Sequence, residues 1–449
     1  MKKTGVILGV VGAFILGMVT TGWEQWAFLG KEKTSARARE EVPGQLAFLK
    51  QENVRLQKAA LDLQRQLREL QEEEFHINIQ EQVVSLRELE FLEEVQLKKM
   101  SRDDLPALIL GEIDRQYSPE ELRNLVKSYA VFGFMPEDFD LKEAYKALLS
   151  EQIAAFYNQH SGELVMFEGN HLDNIMNQVI LAHELTHALQ DQHFDLKSLP
   201  IEDKSNDDRA LGALSLIEGD ATLLMGMFLL ENKENMKVLS LLEGMLGQST
   251  EALASVPGII RESLLFPYLK GQEFVMSLYA QGGFQAISDA FDDPPNSSSE
   301  ILHPERYLSI QRILPALPEW QVMEENQEKR LIRENVLGEF GLRVWLQEYM
   351  SRENAENAAD GWRGDGYRVF MDKAGKHLQF VHWSKWENIQ EAEEFLRAAI
   401  AAGKEYFPEE GEFLVKRMAP DEVVMIRAKS KEEQAELEAL APVAWSAAR

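Results

Sequence analysis

Leucine recurs every seven residues through residues 45–74, and this repeat predicts a long helix. Leu49, Leu56, Leu63 and Leu70 fill one seam position, and Leu46, Asn53, Ala60 and Leu67 fill the other. This heptad pattern favours a parallel coiled-coil stalk, in which Asn53 is the polar seam residue that fixes the register. The stalk would start at Pro43 and Gly44 and would make the chain a parallel homodimer. The alternative is a solitary amphipathic helix that packs on its own domain.

An uncharged apolar stretch, residues 5–23, follows two lysines at the start of the chain. A helix of this length spans about 28 Å, close to the thickness of the hydrocarbon core of a bilayer. Lys2 and Lys3 favour a cytoplasmic N-terminus. Residues 1–23 are therefore expected to form a single-pass anchor in the cell membrane, with the rest of the chain outside the cytoplasm and residues 24–44 as a linker. The alternative is a cleaved signal peptide.

From about residue 75 the heptads give way to a mixture of helical and strand patterns. Helical periodicity covers residues 119–132, 140–149, 172–193 and 207–230, and residues 153–157 and 163–167 flank a turn as in a β-hairpin. After residue 360, two further hairpins are each followed by a helix. The sequence therefore predicts an α+β fold, in which a mostly helical domain with a small sheet (residues 75–359) precedes a small α+β subdomain (residues 360–449).

Charge and cysteine content exclude several classes of function. The 449 residues include 47 Lys and Arg against 75 Asp and Glu, which gives a formal net charge of −28. Binding to nucleic acid requires clustered positive charge, so nucleic acid is excluded as a main partner. The chain has no cysteine, which excludes disulfides, thiol nucleophiles and thiolate-bound metals. Any metal site must therefore be built from histidines and carboxylates.

The segment HELTH, residues 183–187, carries the strongest chemical signal. Residues four apart lie on one face of a helix, so His183 and His187 can hold one zinc ion with Glu184 beside the metal-bound water. The alternative is a pair of core histidines beside an incidental glutamate. Glu218 is the candidate third ligand, because an unpaired carboxylate in its apolar, small-residue surroundings would be costly. Pairing of Glu218 with an arginine is the alternative.

At this point the sequence resembles a known family. HELTH on one helix and a glutamate on the next are similar to the gluzincin branch of zinc metallopeptidases. The strings HELTHALQDQHFDL, ALSLIEGDAT, PPNSSSEILHPERY and AADGWRGDGYRVF resemble a largely uncharacterised group of bacterial and archaeal metallopeptidase-like proteins. The resemblance implies a zincin-like fold, one Zn²⁺ per chain held by His183, His187 and Glu218, and Glu184 as the general base.

One position departs from the family pattern. Thermolysin-like members carry an aspartate four residues after the third ligand, where this chain has Thr222. Asp220 or Asp191 is therefore expected to supply the carboxylate behind the metal ligands. Asp191 lies four residues after His187, so it can either hydrogen-bond that imidazole or be a solvated residue near the end of the helix.

Peptide hydrolysis also needs a hydrogen-bond donor for the tetrahedral oxyanion. The candidates are His303, Tyr307 and Tyr157, although His303 also fits a structural loop and Tyr157 also fits packing in the hairpin. By its likeness to zincins, strand 163–167 is expected to be an edge strand that pairs with an extended substrate.

These features together predict a membrane-anchored, extracytoplasmic zinc metallopeptidase that acts on protein or peptide substrates with zinc-activated water. Two alternatives share the zinc site. One is a non-proteolytic envelope adaptor that keeps zinc for stability, and the other is a zinc amidase that acts on cell-wall peptides. The presence of Glu184 favours an enzyme over the adaptor.

Overall fold

The computed structural model describes residues 36–152, 154–231, 251–320, 329–407 and 413–447. These residues form an α+β protein, and the chain divides into two compact units with the boundary between Glu73 and Glu74. The predicted membrane anchor, residues 1–23, lies outside the described residues, as do residues 24–35 of the predicted linker.

The described part of the first unit belongs to one long helix, α1 (Ala36–Arg87). The helix already includes Pro43 and Gly44, so it begins before the predicted start of the stalk, and the start of the coiled coil itself stays a prediction. Leucines of the heptad seam are exposed in the single chain, for example Leu49 and Leu70. An unpaired strand of a coiled coil presents such a stripe, and the parallel dimer stays a prediction.

The second unit contains the end of α1 and all later elements. In the described chain the helices are α2 (Leu105–Gln116), α3 (Pro119–Phe132), α4 (Leu141–Gln152), α5 (Ile175–Phe194), α6 (Asp207–Glu231), α7 (Glu251–Ser255), α8 (Gly258–Asp292), α9 (Ser298–Leu302), α10 (Pro304–Tyr307), α11 (Gly338–Gln347), α12 (Arg352–Ala359), α13 (Ile389–Tyr406) and α14 (Lys431–Glu438). The strands are β1 (Leu97–Met100), β2 (Ala155–Asn158), β3 (Glu163–Phe167), β4 (Ala316–Glu319), β5 (Lys329–Asn335), β6 (Trp362–Asp372), β7 (Leu378–Trp386), β8 (Phe413–Ala419), β9 (Glu422–Arg427) and β10 (Ala444–Ala447).

Local sequence signals explain several of these boundaries. Ser118 and Glu121 form a capping box at the start of α3, each side chain accepting a hydrogen bond from the other residue's backbone N–H. Asp140 accepts a hydrogen bond from Glu143 N at the start of α4. The helices predicted over residues 119–132, 140–149, 172–193 and 207–230 are confirmed within a few residues.

The small sheet has the order β1-β3-β2. Strand β3 pairs in parallel with β1 and antiparallel with β2, so it lies in the centre of the sheet. The predicted hairpin of β2 and β3 is confirmed, but the prediction that residues 163–167 form an edge strand is wrong. Strand β1, from an earlier segment of the chain, pairs with the other side of β3. The edge strand of the hairpin is therefore β2.

The C-terminal sheet is antiparallel, with the order β5-β6-β7-β9-β8. Its two hairpins and the helices α13 and α14 are the elements predicted for the tail. Strand β5, however, begins at Lys329 and pairs with β6, so the predicted boundary at residue 360 falls within this structural unit. Strands β4 and β10 pair separately as a two-stranded sheet.

Two glycines bring helices α6 and α8 into close contact. A Cβ on Gly219 would overlap the carbonyl oxygen of Gly271, and a Cβ on Gly271 would overlap that of Ser215. Glycine at both positions therefore permits backbone-to-backbone packing, and it fixes the part of α6 that carries Glu218. Among the described helices, α6 alone is long and apolar enough to cross a membrane, but 67% of its apolar stretch is buried in the protein. It is the central helix of the second unit.

Candidate metal centre

The two histidines of the HELTH segment lie one turn apart on α5. The helix begins after Asn174, whose side chain accepts a hydrogen bond from Met176 N, and it runs through the motif to Phe194 without a break. The rings of His183 and His187 are nearly perpendicular, with centroids 4.7 Å apart. Both rings contact Glu218 of α6.

The three predicted ligands converge on one point. Nε2 of His183 lies 3.1 Å from Nε2 of His187 and 3.2 Å from Oε2 of Glu218. Nε2 of His187 lies 3.4 Å from the same carboxylate oxygen. Ligand atoms placed about 2.0–2.1 Å from a tetrahedral zinc ion are about 3.3–3.4 Å apart. The triangle formed by these three atoms therefore fits one metal ion, and it leaves a fourth position for water or substrate.

The charges of His183, His187 and Glu218, called the triad from here on, also favour binding of a cation. Burial alone would raise the pKa of Glu218, but the two imidazoles beside it, His187 foremost, hold its pKa well below the usual range. Burial alone would lower the pKa of His187, but the Glu218 carboxylate raises it to about 9. The carboxylate thus stays ionised and attracts positive charge, which a divalent ion supplies.

The side chain of Glu184 lies beside the triad and is held by the edge strand. Its Oε2 accepts a hydrogen bond of 2.8 Å from the backbone N–H of Tyr157 in β2. Burial raises the pKa of Glu184, although the neighbouring imidazoles oppose this effect. The edge strand therefore fixes the orientation of the predicted general base.

Among the described residues, the hydrogen bonds of Asp191 do not reach a predicted metal ligand. Its carboxylate accepts a hydrogen bond of 2.8 Å from the hydroxyl of Tyr157 and one of 3.3 Å from Leu196 N. Of the two alternatives that the sequence left open, the hydrogen bond from Asp191 to the His187 imidazole is therefore not seen among the described residues. Since Tyr157 also carries the N–H that binds Glu184, Asp191 instead anchors the strand that positions the general base.

The partner of the His187 ring is a residue that the sequence did not single out. Nδ1 of His187 lies 2.9 Å from Oε1 of Gln190, and Nε2 of Gln190 donates to Oδ2 of Asp220 at 2.9 Å. Asp220 thus contacts the His187 ring through the Gln190 amide and not directly. Thr222, the residue at the position of the family's aspartate, was a further candidate for a place behind the ligands, but its buried hydroxyl has no hydrogen-bond partner among the described residues.

The three predicted oxyanion donors are engaged elsewhere. The hydroxyl of Tyr157 donates to Asp191, and that of Tyr307 donates to Asp293 O at 2.9 Å. His303 Nε2 lies 2.7 Å from the buried carboxylate of Glu339, in a cluster that also includes Arg306, Arg343 and Asp360. His303 thus belongs to a separate ion-pair cluster, which fits the structural alternative.

Tyr268 of α8 lies beside the three predicted ligands. Its ring stacks on His183, with centroids 6.1 Å apart and planes at 26°. The nearby negative charge of Glu218, together with burial of the hydroxyl, raises the pKa of Tyr268. The side chain is still 36% exposed, so it can contact a molecule bound at the triad. No motif marks Tyr268, because only the crossing of α8 over α6 brings it to the site.

A cavity of about 440 Å³ opens along the same two helices. Four tyrosine rings contribute to its wall, those of Tyr117, Tyr129, Tyr145 and Tyr367. Leu214 and Leu264 also line it, and each lies four residues before a residue of the site, Glu218 on α6 and Tyr268 on α8. Residues four apart share a helix face, so these leucines lie on the faces of α6 and α8 that also carry Glu218 and Tyr268, although neither of those two residues lines the cavity. Asp208 lines the cavity as well, and burial raises its pKa to about 8, so it is mainly uncharged at neutral pH.

A family model described as "Domain of unknown function (DUF8575)" matches residues 328–438. This segment runs from the start of β5 to the end of α14 and makes up about a quarter of the chain. No curated protein and no solved structure matches the chain. The matched segment is the C-terminal sheet with its helices, and it does not include His183, His187 or Glu218.

Proposed function

We propose that this protein is a zinc metallopeptidase that hydrolyses peptide bonds. The observation that carries the proposal is the convergence of two imidazole nitrogens and one carboxylate oxygen within 3.1–3.4 Å, with Glu184 beside them. A donor set of two histidines and one glutamate with an open fourth position is typical of catalytic rather than structural zinc. One zinc ion per chain would be held by His183, His187 and Glu218.

Each step of the proposed hydrolysis would use one group at this site. Zinc bound here would polarise the scissile carbonyl and lower the pKa of its bound water toward about 7. Glu184 then takes the proton of the attacking water and transfers it to the leaving amine. The hydroxyl of Tyr268 donates a hydrogen bond to the oxyanion.

The sheet and the cavity suggest how a substrate is held. An extended peptide would align with the edge strand β2. Because the backbone N–H of Tyr157 in this strand binds the carboxylate of Glu184, the peptide would then lie beside the general base. The cavity beside α6 and α8 would accept an apolar side chain of the substrate, because tyrosine, leucine and isoleucine side chains dominate its wall.

The proposal includes the location of the enzyme in the cell and its oligomeric state. Residues 5–23 would anchor the chain in the cell membrane, with the metal centre outside the cytoplasm and the stalk pairing two chains in parallel. An enzyme in this place would process or degrade proteins of the cell envelope.

Metal content and cleavage of an unfolded protein test the proposal directly. We expect the purified full chain to bind about one zinc per chain, to cleave casein, to lose activity on chelation, and to regain it when zinc returns. Zinc-loaded protein that leaves casein intact but cleaves cell-wall peptides would instead identify an amidase. Protein that binds zinc and cleaves neither substrate would identify the adaptor.

Replacement of Tyr268 by phenylalanine tests the assignment of the oxyanion donor. Removal of one such donor typically lowers kcat by about 10²–10³-fold, and we expect an effect of this order with little change in KM. Zinc content should stay at one per chain. Tyr279→Phe is the matched control, because Tyr279 lies on the same helix with 39% exposure. Equal kcat values for the two variants would contradict the role given to Tyr268.

A further inference from the structure

A histidine that binds a metal through Nε2 must keep its proton on Nδ1, and the partner of Nδ1 decides whether it does. The partner of His187 is the side-chain amide of Gln190. An amide has both a donor end and an acceptor end. The contact at 2.9 Å therefore leaves the tautomer of His187 open until the orientation of the amide is known.

Two neighbours fix that orientation. One end of the Gln190 amide lies 3.0 Å from the carbonyl oxygen of Ile217 and 2.9 Å from Oδ2 of Asp220. Both neighbours are acceptors, so this end must be the NH₂ group. A flipped amide would place its oxygen against two other oxygens. Oε1 of Gln190 therefore faces His187, which must donate from Nδ1 and keep a free electron pair on Nε2.

The acceptor Asp220 is in turn held by Arg87. Both side chains are fully buried, and Nε of Arg87 lies 3.0 Å from each carboxylate oxygen. The guanidinium also donates to Ser288 Oγ at 3.2 Å and lies over the ring of Phe284, 4.9 Å from its centroid. Asp220 thus accepts from Arg87 and from Gln190. An amide at position 220 could turn its NH₂ group toward Gln190, which would leave Ile217 O as the one remaining acceptor for the Gln190 amide.

We propose that Arg87, Asp220 and Gln190 are positioning residues that hold His187 in the tautomer needed for metal binding. The outermost member, Arg87, is the last residue of α1, the helix that starts at Ala36. The end of this helix is thus part of the metal centre. The inference rests on the metal ion of the proposed function, but it does not depend on peptide hydrolysis.

Buried ion pairs give little net stability, because desolvation offsets the attraction between the charges. The Arg87–Asp220 pair is therefore better explained by a role in orienting His187 than by a role in stability. The two roles can be distinguished by experiment. A structural pair would affect the unfolding transition, whereas the positioning residues must affect zinc affinity in the folded protein.

The test measures zinc affinity of the full chain by competition with a chelating dye. Asp220→Asn should weaken binding by about 10–100-fold, the usual effect of losing a partner behind a metal ligand. Glu339→Gln is the control, since Glu339 is also fully buried and paired with arginines, but at the separate cluster around His303. It should lower the thermal unfolding temperature and leave zinc affinity within about twofold of wild type.

An exchange variant keeps the proposal testable even if Asp220→Asn folds poorly. In the double variant Gln190→Glu with Asp220→Asn, the new amide can donate to the new carboxylate, which accepts from Nδ1 of His187. We expect zinc affinity to rise above that of Asp220→Asn but not fully to the wild-type value, because the second oxygen of the new carboxylate faces Ile217 O.

Two results would overturn the proposal. One is wild-type zinc affinity in a folded Asp220→Asn variant, and the other is an exchange variant that folds but binds zinc no better than Asp220→Asn. Failure of the metal centre itself would look different, because the wild type would then bind no zinc. Failure of the peptidase proposal alone would leave all these affinities as expected.

Discussion

Replacing Glu184 by glutamine is expected to reduce kcat/KM for casein-derived peptides by about 10²–10⁴-fold, the usual contribution of a general base. Glutamine has the same shape and can still accept the hydrogen bond from Tyr157 N, which is 2.8 Å long in the native protein. It cannot take a proton from water. The three metal ligands are unchanged, so the variant should still bind about one zinc per chain.

Steady-state kinetics and metal analysis on the same preparation check this result. Glu273→Gln is a suitable control, because Glu273 is an exposed residue of α8 that pairs with Lys270. It should retain wild-type kcat/KM. A Glu184→Gln variant that keeps zinc and cleaves as fast as the control would refute the assignment of the general base.

Replacing Asp365 by alanine is expected to lower the free energy of unfolding of the C-terminal sheet by about 3–5 kcal/mol. This carboxylate is fully buried and accepts from the backbone N–H groups of Leu337 and Gly338, at 3.0 Å each. It also bonds Nε1 of Trp362 at 3.1 Å and Nε2 of His382 at 2.8 Å. Alanine would leave these buried groups unpaired, and each unpaired donor costs about 1–3 kcal/mol.

Urea unfolding followed by tryptophan fluorescence can measure this loss, because Trp362, Trp383 and Trp386 all lie in the sheet. Asp421→Ala is the control, since Asp421 is partly exposed and pairs with Lys385 at 3.0 Å. Such a pair contributes about 1 kcal/mol or less. Equal unfolding midpoints for the two variants would show that Asp365 does not have this role.

Much of the metal centre followed from local periodicity. His183 and His187 share a helix face because four residues make about one turn, and any helix over HELTH would bring them together. The apolar surroundings of Glu218 indicated a buried carboxylate, and α6 does carry it to the two imidazoles. That these three groups hold zinc remains a prediction.

Other parts of the site depend on contacts between distant segments. Asp191 has the same four-residue spacing from His187 as a direct partner would have, yet its carboxylate turns to Tyr157. Gln190, three residues after His187, makes the contact instead. Spacing alone could not choose between them, because the choice depends on where Asp220 and β2 approach α5.

The C-terminal sheet also contains strand pairings that the sequence predicts and others that it does not. Its two hairpins were predictable, since each consists of alternating strands around a short turn. Strand β5 was not, because about 27 residues separate Asn335 from its partner strand β6 and no turn signal joins them. In the small sheet, β1 likewise pairs in parallel with β3 from a distant segment. This pairing makes β3 the central strand and leaves β2 at the edge.

The sequence by itself determined several helices and three hairpins, the exclusion of cysteine chemistry and the face of α5 that presents two imidazoles, since these depend on composition and on periods of a few residues. Only the tertiary structure decided that Tyr268 lies against His183, that Gln190 and Arg87 lie behind His187, and that β2 holds Glu184. Those contacts arise where α1, α6, α8 and β2 pack around α5, and such packing is set by the shapes of whole buried surfaces, as at Gly219 and Gly271.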